Sequence, residues 1–136
     1  MDDRANVAGR PESVNVTAWV VLVFCAFGYL GCLMIWSFRD IPQMMQMYAR
    51  MHISPANYSA LLIIHVTIDA LCAVGFLFRV GWARHVYAAS GTAMVVYAFW
   101  TSPYPLFAIP SALYVVGVTT VLFLPKNNQW FAGRTA

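Results

Sequence analysis

The sequence predicts an all-α membrane protein: a four-helix transmembrane bundle, up-down-up-down, with a short amphipathic helix in the first outer loop. Three observations predict it. Of 136 residues, 61% are hydrophobic and only 10% are charged, against about 25% charged in an ordinary soluble domain. A chain this short has too much surface for its volume to hide that apolar content from water, so a lipid bilayer is its natural solvent. The apolar residues gather in four runs, and the basic residues are shared unequally between the intervening segments. Residues 1–14 are expected as a polar cytoplasmic tail, 15–125 as the transmembrane domain and 126–136 as a second cytoplasmic tail.

The first run, 16–37, is too long for the apolar core of a signal peptide, and no small-x-small cleavage site follows it, so it is expected to be a retained span. The second run is 56–78. Ser54 then Pro55 reads as an N-cap with proline in the first turn. The third, 85–101, is short for a span, which needs about 20 residues. The fourth, 104–124, opens with the same Ser-Pro device at Ser102 and Pro103. Pro110 is expected to kink it, because proline removes a backbone donor. Pro125 is expected to end it.

Four spans put Arg4, Arg10, Arg79, Arg84, Lys126 and Arg134 on one side and only Arg39 and Arg50 on the other. The excess of Lys and Arg faces the cytoplasm, so both termini are expected there. Trp36, Trp82, Trp100 and Trp130 fall near span ends, where interfacial aromatics gather. The net charge of +3 is small and its bases are scattered, so no nucleic-acid footprint is present. Cys25, Cys32 and Cys72 lie in apolar runs without a CxxC pair and read as buried free thiols.

The first outer loop carries a candidate surface helix. Asp40 and Gln43 fit a capping box. Ile41, Met44, Met45, Tyr48 and Met51 then share one face, as in a helix lying on a membrane or on a partner. Thioethers with His52 also suit Cu(I), but Met47 points away from the others, and lipid or partner packing is the simpler use of these methionines.

The most unusual stretch is "LLIIHVTIDALC", residues 61–72. His65, Asp69 and Cys72 stand at i, i+4 and i+7, on one helix face. Tyr58 and Phe76 extend the stripe, and Arg79 ends it. An acid at mid-membrane costs about 2.5–3.5 kcal/mol on the insertion scale, so the stripe is expected to face the bundle interior. Cys25 and Tyr29 on the first span match the depths of Asp69 and His65. Ser90 and Tyr97 on the third span, and Ser111 and Tyr114 on the fourth, can add partners. Three uses are open: a hydrogen-bonded clamp between helices, a proton or ion relay, or a metal site on His65, Asp69 and Cys72. The last is only half a ligand set, so no metal and no cofactor is expected. There is no nucleophile elbow, HExxH or phosphate-binding glycine loop, and no enzyme is expected.

"FLFRVGWARH" (76–85) and "LFLPKNNQWF" (122–131) together resemble segments of small four-span bacterial inner-membrane proteins, some of which are immunity proteins that neutralise a membrane-directed toxin. The resemblance implies a non-enzymatic role as an accessory subunit or immunity protein, bound to another membrane protein, to a toxin or to a second copy of itself. The alternative is a small ion, proton or metal carrier built on the His65–Asp69 stripe.

The predicted topology is checked by fusing a cytoplasm-active and a periplasm-active reporter to the C-terminus. The cytoplasmic reporter should be the active one. Activity confined to the periplasmic reporter means an odd number of spans.

Overall fold

The computed structural model of the protein describes residues 11–101, 106 and 108–132. These residues are all-helical, with six helices and, among them, no strand: α1 (Glu12–Ser37), α2 (Pro42–Arg50), α3 (Pro55–Leu77), α4 (Gly81–Thr101), α5 (Ala108–Leu122) and α6 (Pro125–Ala132). The four longest pack in cyclic order: α1 on α3, α3 on α4, α4 on α5, and α5 back on α1. Neighbours run antiparallel. Tyr29 meets Thr67, His65 meets Ser90, and Phe24 stacks on Tyr114 near the middle of the bundle. Ser13 meets Asn127 at one end.

Two helices, α1 and α3, are long and apolar enough to cross a membrane, with hydropathy 2.3 and 2.2. The pair α5 and α6 meets that measure only as one bent span, at 64°. The described helices therefore supply two, or up to three, membrane-crossing segments by length and composition. Helix α4 does not count among them, because Arg84, His85, Ser90 and Thr92 dilute its hydropathy. Trp19, Phe27, Leu30, Leu33 and Met34 of α1 are all more than half exposed. A contiguous apolar face of this kind is rare on soluble monomers and suits membrane association.

Several boundaries differ from those expected. Helix α1 begins at Glu12, inside the expected polar tail, and α4 begins at Gly81, four residues before the third apolar run. Helix α2 is not capped by Asp40: its N-cap is Ile41, with no side-chain cap and Pro42 in the first turn. Proline suits that position because its missing N–H has no intrahelical acceptor there. Asp40 instead lies 3.6 Å from Arg39, exposed to solvent. Ser54 does cap α3, accepting from the Asn57 N–H at 3.1 Å. The Ser102–Pro103 cap falls outside the described residues. Pro110 lies in the first turn of α5 and so removes no internal hydrogen bond. The sharp bend comes after Leu122 instead.

That bend lays α6 across one end of the bundle, where the sequence reading expects a tail. Asn127 is fully buried. Its Oδ1 accepts from Ser13 Oγ at 2.9 Å and its Nδ2 donates to the Val121 carbonyl at 2.6 Å. Phe131 is buried against Phe76, ring centroids 6.4 Å apart. Arg84 donates to Asn128 and lies over the rings of Phe123 and Phe131. Arg79 donates to the Trp130 carbonyl at 3.0 Å and stacks on its ring at 4.1 Å. Arg79 also takes the left-handed backbone form that closes α3, φ 61°. Glycine usually fills that place, and the contacts to Trp130 hold an arginine there.

Close helix approach has its own local cause. A Cβ on Gly28 would meet Val66 at 2.7 Å, and one on Gly91 would meet Val115 at 2.9 Å. Gly28 and Cys32, a small-residue pair four apart on α1, are thus used between α1 and α3.

Replacing Asn127 by Ala removes both of its hydrogen bonds and leaves a void. The expected loss is about 1–3 kcal/mol, read as a lower melting temperature in detergent with faster hydrogen exchange in α6. An unchanged melting temperature would show that α6 is not part of the folded unit.

Candidate polar site in the bundle

Helix α3 turns its polar stripe inward, because α1 and α4 cover that face. The His65 and Asp69 side chains keep only 17% and 14% of their exposure. Cys72 and Phe76, further along the stripe, are buried. The i, i+4 spacing brings His65 Nε2 to 3.4 Å from Asp69 Oδ2, long for a hydrogen bond between nitrogen and oxygen. On the other side of the ring, Nδ1 lies 2.8 Å from Ser90 Oγ on α4. His65 therefore joins an acid on its own helix to a hydroxyl on the next.

The groups around Asp69 come from every helix of the ring. They are Cys25 from α1, His65 and Cys72 from α3, Tyr87 from α4 and Tyr114 from α5. Asp69 Oδ1 and the hydroxyls of Tyr87 and Tyr114 are all buried; the two hydroxyls lie within reach of each other, and Ser90 lies within reach of the acid. Three buried polar atoms thus share one place in the core.

Of the residues singled out from sequence, His65, Asp69, Cys72, Cys25 and Tyr114 do converge. Tyr29 does not join them. It is 39% exposed, and its hydroxyl meets Thr67 Oγ1 at 2.8 Å on the outside of the α1–α3 contact. Its depth matches the sequence reading, but its direction is turned by part of a helical turn, because Cys25, Gly28 and Cys32 form the face that packs inward. Tyr87 is the member that sequence reading missed. Its signal was a tyrosine three residues before Ser90, on the same side of α4. Tyr97 and Ser111 line a separate cavity towards the α2 end, with Tyr58.

Among the described residues, no three His, Cys, Asp or Glu side chains are grouped so as to hold a metal ion. The cysteines are free thiols. On α2, Tyr48 is buried and packs its ring 5.9 Å from Tyr58. Burial, with Tyr58 beside it, pushes its phenol above the ordinary tyrosine range, so the ring stays neutral. Met45, one turn earlier, is 57% exposed, whereas Met44 and Met51 are half-buried. The apolar face of α2 is therefore shared between the bundle and the exterior.

Removing the Tyr29 hydroxyl should cost little. An interhelical hydrogen bond of this type averages about 0.6 kcal/mol, so Tyr29→Phe should shift melting slightly. A loss well beyond that maximum of about 1.7 kcal/mol would mean that Tyr29 reaches the polar centre after all.

No family model matches the chain, and no curated protein or solved structure matches it either.

Proposed function

We propose that the chain is a four-span protein of the bacterial inner membrane with both termini in the cytoplasm, and that its buried Ser90–His65–Asp69 centre exchanges protons within the membrane. Cyclic packing supports the topology, since α4 and α5 lie alongside α1 and α3 at the same depth. Charge supports the orientation. Arg79, Arg84 and Lys126 gather at the α6 end, while Arg39 and Arg50 lie towards the α2 end.

One observation carries the functional reading: Asp69 Oδ1 is buried without a well-formed hydrogen bond, beside the close-set hydroxyls of Tyr87 and Tyr114. A clamp that merely held helices together would close Asp69 Oδ1 on a donor. Magnitudes point the same way. Inserting the acid costs about 2.5–3.5 kcal/mol, and one interhelical polar contact returns about 0.6 kcal/mol on average. One or two such contacts therefore do not offset the acid, and the 3.4 Å contact to His65, within its own helix, is longer than a hydrogen bond. With the ring proton on Nδ1, His65 donates to Ser90 Oγ and offers Nε2 to Asp69. A proton leaving the Asp69 carboxylic acid for Nε2 turns a neutral pair into an imidazolium–carboxylate pair, and its return restores the neutral one.

A hydroxyl and an acid on opposite ring nitrogens also repeat the connectivity of a hydrolase triad. Ser90, however, stands in the interior of α4, where backbone N–H groups are already bonded along the helix. No backbone donors there are free to hold an oxyanion, so we keep a non-enzymatic reading.

A second reading, binding to another membrane protein, to a membrane-directed toxin as an immunity protein would, or to a second copy, draws on Ala89 and Ala93. Both are exposed on α4 at small-xxx-small spacing, together with the outer side of α2. Co-purification of a membrane partner that is lost in Ala89→Leu would favour it.

The proton reading is tested on the purified protein in detergent. The infrared carboxyl band of Asp69, assigned by its loss in Asp69→Asn, should rise and fall reversibly with pH. Asn keeps the shape, so the variant should still melt cooperatively. A band indifferent to pH in the folded protein rules out exchange, and failure of Asp69→Asn to fold marks the acid as structural.

A further inference from the structure

We infer that the polar centre takes up and releases its proton from the α2 side alone, through a cavity between α3, α4 and α5, while aromatic packing under α6 shuts it off from the other side. This rests on the exchange reading above and adds its direction.

The cavity has a volume of about 230 Å³ and is lined partly by polar groups, among them Tyr58, Tyr97, Thr101 and Ser111. Its deeper residues lead to the centre. Met94 lies one turn from Ser90 on α4, and Ser111 one turn from Tyr114 on α5. His65 lies two turns below Tyr58 on the same face of α3, a drop of about 10 Å at 1.5 Å per residue. Hydroxyls thus mark the way from the α2 end of the bundle down to the histidine.

Towards α6 the packing is different. Phe76, Tyr87, Ala83, Leu122, Val14 and Asn127 have no exposed surface. Phe76 sits between Tyr87 at 5.8 Å and Phe131 at 6.4 Å, edge to face in both cases. Of the largest fully buried side chains, only Tyr48 belongs to the α2 end. Interiors packed in this way hold few voids large enough for water, and the open groove on that side, lined by Glu12, Ser13, Thr17, Val121 and Lys126, lies outside these residues.

The titratable groups that face Asp69 are Cys25 of α1, His65 and Cys72 of its own helix, Tyr87 of α4 and Tyr114 of α5. Of these, His65 lies towards the cavity and Tyr87 towards the seal. A proton arriving from the α2 side meets His65 first, through Ser90. It leaves by the same route, so the protonation of the centre reports the pH of one compartment and drives no net flux.

The test uses the full chain in liposomes whose inner and outer pH are set independently, with orientation fixed by protease access to a C-terminal tag. The Asp69 infrared band should follow the pH on the α2 side and stay unchanged when only the α6 side is stepped. Ser111→Trp, or Ala98→Trp should the first fail to fold, fills the cavity and should abolish the response while melting stays cooperative. A band that follows the α6 side, or both sides, overturns the inference and leaves the exchange reading intact. So does a normal response in a folded cavity-filling variant. A band that follows neither side overturns both.

Discussion

One acid on an apolar helix governs this bundle. Asp69 sits among Ile68, Ala70 and Leu71 on α3, and hydrocarbon offers it nothing. Only one rotation of α3 turns it inward, and that rotation also brings His65, Cys72 and Phe76 inside. The neighbouring helices then fall into place around a fixed face. Helix α1 presents Gly28 and its cysteines so that Val66 can come close. Helix α4 supplies Ser90 and Tyr87, and α5 supplies Tyr114. In a bilayer, lipid tails are as apolar as leucine, so burial of side chains does not by itself choose a helix rotation. The polar stripe makes that choice.

The helical class was legible in composition, and the α3 face in the i, i+4, i+7 spacing. The cap at Ser54 was legible too, because capping is a contact between residues three apart. What failed to show in the sequence depends on contacts between distant residues. Tyr29 was assigned to the right depth but the wrong side, since rotation of α1 is set by Gly28 against Val66. Tyr87 escaped notice because a tyrosine in an apolar run reads equally well as an interfacial anchor. Helix α6 was read as a tail because eight residues with Lys126, Asn127, Asn128 and Gln129 show no apolar run; its fold depends on Ser13 and Phe76, far away in the chain.

Charge and packing divide the molecule in the same sense. The arginines near α6 are tied into the structure: Arg84 lies over Phe123 and Phe131, and Arg79 over Trp130. Arg39, at the other end, stacks on Trp36, which is itself exposed. A basic residue that only marks topology needs no partner, whereas Arg79 and Arg84 also fix the helix that closes the bundle. Dense packing accompanies them, and looser, hydroxyl-lined packing accompanies the α2 end.

The Ser13–Asn127 hydrogen bond spans 114 positions of sequence. At synthesis rates of about 5–20 residues per second, roughly 6–23 s separate the appearance of its two halves. For most of that interval α1 is complete but has no α6 to close over it, and Phe76, once made, lacks its cover. The end of the bundle that is tightest in the finished protein is therefore the last to be built.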